Sequence, residues 1–294
     1  MHKTTSIGYC SLLAMALSGG AAQATPPINT LERIEETATL RVGYGDAAPF
    51  SYLDNQGQVV GYSIDICQRL AKQLKATLGL SSLEIAYVPR TPSNRIQLLN
   101  RGDIDIECDA STNTVERRRS ALFALSHYFV TVRYVALRES GLKTLADLAG
   151  QSVSVARGTV NVGQVNQANR EQRLYLSVVP ADTLQEAFDL VTDGRVAAFA
   201  MDDILLRAMI AESENPDAYT VFAEPLTASQ PLGFMMRLGD DAFAEQVNKV
   251  LRAIYTSPEM ESIYDRWFHQ PLPGKGITLN VPMSEALADH LNHP

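Results

Sequence analysis

Residues 183–203 read as a helix, a glycine, a near-continuous apolar strand and an acidic turn, and the same phrase occurs at 93–112. Thr183 and Glu186 stand in capping-box spacing. Leu184, Phe188 and Val191 recur on one helical face, Gly194 stops the helix, and residues 196–201 are apolar at nearly every position. A strand of that kind is covered on both faces, as in the parallel sheets of α/β proteins. The earlier copy places Ser93 to cap a helix carrying Ile96 and Leu99, ends it at Gly102, and continues as a strand over 104–106. Further strands are predicted at 40–44 and 83–88. A helix at 63–74 puts Ile64, Cys67, Leu70, Ala71 and Leu74 on one face. Residues 142–155 give a short helix, Gly150 and a strand. Helices at 241–255 and 258–267 precede a Pro/Gly-bearing tail, 271–276, that wraps the surface. The alternation predicts an α/β protein with two comparable halves, each a mainly parallel sheet flanked by helices. A length of 294 residues exceeds one comfortable core and agrees with two lobes.

The N-terminus reads as a segment outside this fold. Lys3 is followed by a short apolar stretch at 7–17, and Ala22-Gln23-Ala24 fits the small-x-small cleavage rule, so residues 1–24 are expected to be an export signal and Thr25 the mature start. Cys10 follows the bulky Tyr9 inside the apolar run, which argues against a lipid-modified cysteine. No later segment approaches the roughly 20 apolar residues of a membrane span. A net charge of −8 argues against nucleic acid and anionic membranes as partners. Cys67 and Cys108 are either paired in an oxidising compartment or two buried thiols; the sequence leaves both open. Neither has His or Cys neighbours at metal-ligand spacing.

Ligands of open α/β sheets bind beyond the C-terminal strand ends. After strand 104–107 come Ala110, Ser111, Thr112, Thr114 and Arg117, a set that suits a carboxylate if a helix begins there, because hydroxyls, free N–H groups and a planar guanidinium converge. Taken alone, the segment is as well explained by a capping Thr112 or Thr114 and a solvent-facing Arg117. After strand 152–155 comes the turn Arg157-Gly158-Thr159-Val160-Asn161, where glycine admits close approach to the backbone. After strand 196–201 come Asp202 and Asp203, one to cap the next helix and one free to meet an ammonium. Arg90 and Arg95 flank Pro92; at a helix start the charge of Arg95 opposes the dipole, which points to another partner for it or, equally, to simple exposure to solvent. The set describes a free α-amino acid: a carboxylate clamp, an acid for the ammonium, and extra positive charge. There is no G-x-S-x-G, Walker loop, G-x-G-x-x-G or H-E-x-x-H, and the five histidines form no triad or metal pattern. Asp105 and Glu107, on one strand face, are the remaining carboxylate pair. The residues call for no catalysis and no cofactor.

Several segments taken in order resemble the polar amino-acid family of periplasmic binding proteins, solute-binding family 3, and most closely its glutamate/aspartate-binding members. They are Pro49-Phe50-Ser51-Tyr52, Val60-Gly61-Tyr62-Ser63, Ser93-Asn94-Arg95-Ile96, Asp105-Ile106-Glu107-Cys108, Thr112-Asn113-Thr114-Val115-Glu116-Arg117, Gly158-Thr159 and Met201-Asp202-Asp203. The resemblance implies two lobes joined by two hinge strands, 25–136 with 232–294 and 137–231, closing on a ligand. It implies that Thr112 and Arg117 hold the α-carboxylate, that the Ala110 backbone and Asp202 hold the ammonium, and that Gly158, Thr159 and Val160 add contacts from the second lobe. Of the groups that hold a distal carboxylate in the acidic-ligand members, Arg95 is present. A second arginine is replaced by Tyr44, a serine by Pro92, a histidine by Leu184 and a hydroxylic residue by Val160. Each lost donor around a buried charge costs about 1–3 kcal/mol, and Asp46 at the pocket mouth also disfavours an anion. The ligand implied is L-glutamate or L-aspartate, with glutamine, asparagine or a neutral amino acid as the alternative. The resemblance further implies a periplasmic monomer that docks on an inner-membrane ABC permease. Two rivals remain: a small dehydratase on the same fold, using Glu107 as acid, and a sensor that hands the bound state to a receptor.

Overall fold

The computed structural model describes His2 and residues 29–294. Apart from His2, the expected export signal, with its expected cleavage site after Ala24 and Cys10, lies outside the described residues. The first lobe begins with α1 (Thr30–Thr37), capped by the Asn29 side chain, and β1 (Thr39–Tyr44). A hairpin of β2 (Tyr52–Leu53) and β3 (Val59–Val60) leads to α2 (Tyr62–Thr77), β4 (Glu84–Pro89), α3 (Arg95–Arg101), β5 (Ile106–Glu107) and β6 (Ala121–Phe123). The chain crosses along β7 (Tyr128–Val130) into β8 (Val132–Leu137), β9 (Ser152–Ala156), α4 (Asn161–Glu171), β10 (Ser177–Ala181), α5 (Leu184–Thr192), β11 (Ala198–Asp202), α6 (Asp203–Glu212) and β12 (Tyr219–Val221). It returns along β13 (Gln230–Leu232) to β14 (Met235–Arg237), α7 (Asp241–Tyr255), α8 (Glu259–Phe268) and α9 (Glu285–Asn292).

One sheet has the order β4-β1-β5-β14-β6 and the other β10-β9-β11-β8-β12. In each, three strands are parallel and the fourth is antiparallel to the third. The recurrent sequence phrase is thus a shared strand–helix–strand–helix–strand unit, with β1 and β9 at its centre. The crossing strands β7 and β13 pair with each other, Tyr128 opposite Leu232 and Val130 opposite Gln230. This ribbon joins the lobes. The second sheet takes in β8 from Val132, earlier than the expected boundary at 137.

Helix α2 buries the predicted face, Ile64, Cys67, Leu70, Ala71 and Leu74, against the sheet and α7. Beside it Phe50, Tyr62, Tyr128, Tyr264 and Phe268 meet edge-on or stacked, with Tyr264 and Phe268 centroids 4.2 Å apart. His127 lies among them, 3.0 Å from the Ser63 hydroxyl through Nε2, and burial pushes its pKa down to about 3. It is a neutral core residue. Cys67 and Cys108 form a disulfide that ties α2 to the segment after β5. No helix among the described residues is long and apolar enough to cross a membrane.

Three expectations need correction. The capping position before α3 belongs to Asn94, not Ser93; the Asn94 side chain makes no cap bond and instead accepts from the Thr91 N–H at 2.8 Å. Asp105 and Glu107 do not pair. Asp105 is taken by Arg33 and Arg41, Glu107 by Arg90, because β5 begins only at Ile106 and Asp105 lies before it. The tail 271–276 is more than a surface wrap, since Leu272 is buried; beyond it Leu279 is buried too, and Ser284 caps α9, which buries Leu287 and Leu291. Ser284 followed by leucines at i+3 and i+7 was the readable cue.

The disulfide bridges a sequence separation of 41 residues. Closing a loop of that length in the unfolded chain stabilises the fold by about 4 kcal/mol. The double substitution Cys67→Ser, Cys108→Ser is expected to lower the unfolding free energy by that order in urea titrations, matching reduced wild-type protein.

Candidate functional site

The C-terminal ends of the six parallel strands face the seam between the lobes, and the buried polar residues gather there. Arg95, at the first position of α3, cannot lie comfortably along a helix dipole of the same sign. It is turned inward and buried, 4% exposed. Arg117 begins the short 3-10 turn Arg117–Arg119 and is buried as well, whereas Arg118 and Arg119 are exposed. The α-helical N-terminus expected near Thr114 is only this turn, so the guanidinium rather than a helix dipole supplies the local positive charge. Thr114 Oγ1 accepts from the Arg117 N–H at 3.2 Å, and Arg117 Nη1 donates to the Thr112 carbonyl at 3.1 Å, which aims the fork.

Both arginines then reach the other lobe. Arg95 Nη2 and Arg117 Nη2 each donate to the Gly158 carbonyl, both at 3.0 Å. Gly158 has φ +76°, and a Cβ there would stand 2.4 Å from the Pro92 carbonyl oxygen. Only glycine lets this turn approach the first lobe so closely. Thr159 bonds its hydroxyl to Ala156 O at 2.7 Å, which shapes the turn, and Val160 occupies the capping position of α4.

Asp202 ends β11 on the same seam and is 2% exposed, with Asn161 Nδ2 3.5 Å from its Oδ1. Its neighbour Asp203 does the structural work: it accepts from Thr131 Oγ1 at 2.7 Å and from the Ile204 N–H at 2.9 Å. The sequence left open which aspartate caps; Asp202 holds the N-cap position of α6 but its side chain makes no cap bond and stays at the seam, while Asp203, the first helical residue, fastens the helix start to Thr131. Burial raises Asp202 to about 7, with Asn161 and the charges of Arg117 and Arg95 pulling the other way. Burial and the charge of Arg117 lower Arg95 to about 9, and burial lowers Arg117 also. Two cations held side by side in a dry seam, sharing one neutral acceptor, form a site that favours added negative charge.

Sequence reading missed the support beneath this pair. Arg90, whose side chain is buried, forms ion pairs with Asp109 and, at 2.8 Å, with Glu107 Oε1. Burial opposes its charge, but the two carboxylates more than offset that and hold its pKa above the ordinary arginine value. Glu107 Oε1 also lies 3.8 Å from Arg95 Nη1. Arg90 follows the end of β4 at the seam, so the strand-end rule could have given it a role. Ala110 is half-buried, its N–H bonded to the Asp109 carboxylate at 2.7 Å. Tyr44 shares a β1 face with Leu40 and Val42, meets Tyr87 edge-on at 6.2 Å, and accepts the Arg90 N–H on its carbonyl at 2.9 Å. Leu184 and Asp46 lie together at the outer mouth, near Leu205 and Met209. Among the described residues no three His, Cys, Asp or Glu side chains are grouped to hold a metal ion.

Residues 40–270 match the model of the bacterial extracellular solute-binding proteins, family 3. The chain is 34% identical to the L-glutamate/L-aspartate-binding protein of Pseudomonas aeruginosa, over 96% of this chain and 94% of that protein. It is 32% identical to the glutamate/aspartate import solute-binding protein of Escherichia coli K12, over 97% and 95%. Among solved structures it is similar to an ancestral amino-acid-binding protein described as a precursor of cyclohexadienyl dehydratase, with TM-score 0.68 and 29% identity over 81% of this chain and 98% of that one.

A raised carboxyl pKa stabilises the fold fully below the unfolded value of 3.8, and the contribution is lost as pH rises through about 7. Ligand-free wild type is therefore expected to lose thermal stability relative to Asp202→Asn between about pH 4 and about pH 7, with the difference level above that. Parallel Tm–pH curves for the two proteins would contradict the burial of an ionisable Asp202.

Proposed function

The chain belongs to the bacterial extracellular solute-binding proteins of family 3, and from that membership we propose that it is the periplasmic capture component of an amino-acid ABC importer with L-glutamate or L-aspartate as ligand. The observation that carries the ligand class is the pair of buried guanidiniums, Arg95 and Arg117, both directed at the Gly158 carbonyl. A carboxylate is a stronger partner for a guanidinium than a shared neutral carbonyl, because both sides of the hydrogen bond are then charged. A ligand with two carboxylates offers one to each arginine.

In this reading Arg117 and Thr112 take the α-carboxylate, and Asp202 with the Ala110 carbonyl takes the ammonium. Arg95 takes the side-chain carboxylate, while Thr159 and Val160 close over the ligand from the second lobe. Tyr44 contributes at most to the outer wall. Arg90, Glu107 and Asp109 act beneath the pocket: they hold a compensated charge cluster against which Arg95 is set. Binding needs no covalent step and no cofactor, and Glu107, engaged by Arg90, is given no catalytic role. The contacts require both lobes at once, so the ligand draws the hinge shut by binding only the closed form well. The closed form then docks on an inner-membrane permease. The names of the Pseudomonas and Escherichia relatives support the same ligand pair.

Calorimetric titration of refolded, ligand-stripped protein with the common amino acids tests this. Glutamate or aspartate is expected to bind most tightly. Arg117→Ala should weaken every amino acid by about 30-fold or more. Arg95→Ala should weaken the acidic ligands by a similar factor and leave glutamine within a few-fold. Preferred binding of glutamine or a neutral amino acid by wild type would overturn the ligand assignment, and no binding of any amino acid would overturn the transport reading.

A further inference from the structure

The lobes meet again at the outer mouth lined by Asp46 and Leu184, through the tail that follows α8. Residues 272–276 form a tight loop, in which the N–H groups of Lys275 and Gly276 donate to the Leu272 carbonyl at 3.1 and 3.0 Å. This loop is fastened to the β2–β3 hairpin of the first lobe. The Tyr52 hydroxyl donates to the Pro273 carbonyl at 3.1 Å. Gly274, at φ +75°, lies so close that a Cβ would stand 2.6 Å from Asn55 N. The loop holds Lys275 over the Tyr52 ring, with Nζ 5.1 Å from the centroid. From there the ammonium forms an ion pair with Glu212, the last residue of α6, in the second lobe. The two side chains are only 20% and 29% exposed, beside a gap where Ala47 and Ala48 face Leu205 and Met209.

We propose that Lys275 and Glu212 are a closing latch: affinity-determining residues that never touch the ligand. The proposal rests on the reading of the protein as one that closes on an amino acid. The ring and the fastened loop position Lys275 in the first lobe whether the protein is open or closed, so little ordering is left for the moment of closure. The ion pair itself spans the lobes and is broken by hinge opening. An interaction made in one of two states shifts their equilibrium by its full free energy, and ligand affinity follows the population of the competent state. The carboxylate of Glu212 and the ammonium of Lys275 thus hold closed, from outside, what the ligand holds closed from within, and the expected kinetic signature is a slower ligand off-rate.

A charge-swap set tests the latch. Lys275→Met is expected to weaken ligand binding about 2- to 5-fold, the range of a partly sheltered pair. Glu212→Lys, which sets like charges against each other, should weaken it further. Both losses should fall on koff and shrink at high salt. The double variant Lys275→Glu, Glu212→Lys should recover most of the wild-type affinity, which a merely structural role for either residue would not produce. Small-angle scattering of the ligand-free proteins gives a readout that needs no ligand: Glu212→Lys should have the larger radius of gyration, and the swap should return it. Equal Kd values and equal radii for wild type and Glu212→Lys would overturn the latch. If wild type binds no amino acid, the functional reading fails by itself, and the radii alone decide: a more open Glu212→Lys upholds the latch and an unchanged one overturns it.

Discussion

Two guanidiniums from one lobe converging on a single carbonyl of the other is the interaction around which the molecule is organised. A buried cation is costly unless charged or strongly polar partners surround it. Arg95 and Arg117 can be buried only where the second lobe closes over them and where carboxylates stand near. That requirement accounts for the close approach at Gly158, for Asp202 across the seam, and for the Arg90, Glu107 and Asp109 cluster behind Arg95. A single neutral acceptor shared by two cations is a modest bond for both. The seam is therefore tuned to exchange that carbonyl for a charged group.

The scaffold keeps these groups in register by different means on its two sides. In the first lobe the segment after β5 is pinned from several directions. The Cys67–Cys108 disulfide joins it to α2, Ser63 Oγ reaches the Asp109 carbonyl at 3.3 Å, and Thr112 bridges to Leu232 on a crossing strand. In the second lobe Ser154 bonds the Ala187 carbonyl at 2.7 Å beneath the site, and Asp203 fastens the start of α6 to Thr131 at the crossing. The ribbon of β7 and β13 connects the two sides and is where the proposed closure would turn. A contact such as Lys275 with Glu212 gains meaning only on such a scaffold, since both ends are fixed within their own lobes.

Much of the fold was legible because its elements are locally consistent. The capping box of Thr183 and Glu186 is present in full, the α2 face is buried as its 3.6-residue period demands, and Gly102 takes the left-handed cap position. The failures fall where local signals are weak. Ser93 and Asn94 are both good capping residues, and the preceding turn, not propensity, chose between them. The helix at Glu285–Asn292 was obscured by the proline- and glycine-bearing stretch before it. The site was legible in part. The resemblance pointed to Arg95, Thr112, Arg117, Gly158 and Asp202, and the structure gathers them, while the Tyr44 ring meets Tyr87.

The periodicity, the repeated helix–glycine–strand phrase and the motif order were enough to determine a two-lobed α/β architecture and its family, because each depends on neighbours close in the chain. Which arginine is buried, which aspartate faces the seam and which ties the helix start to the crossing, and whether Cys67 meets Cys108 were decided by tertiary structure alone. Those choices depend on groups far apart in sequence: Arg95 and Arg117 on Gly158, Asp203 on Thr131, Lys275 on Glu212. A charged side chain in a sequence is equally compatible with solvent and with a partner, and only closure of the chain around it removes the water and makes the partner necessary.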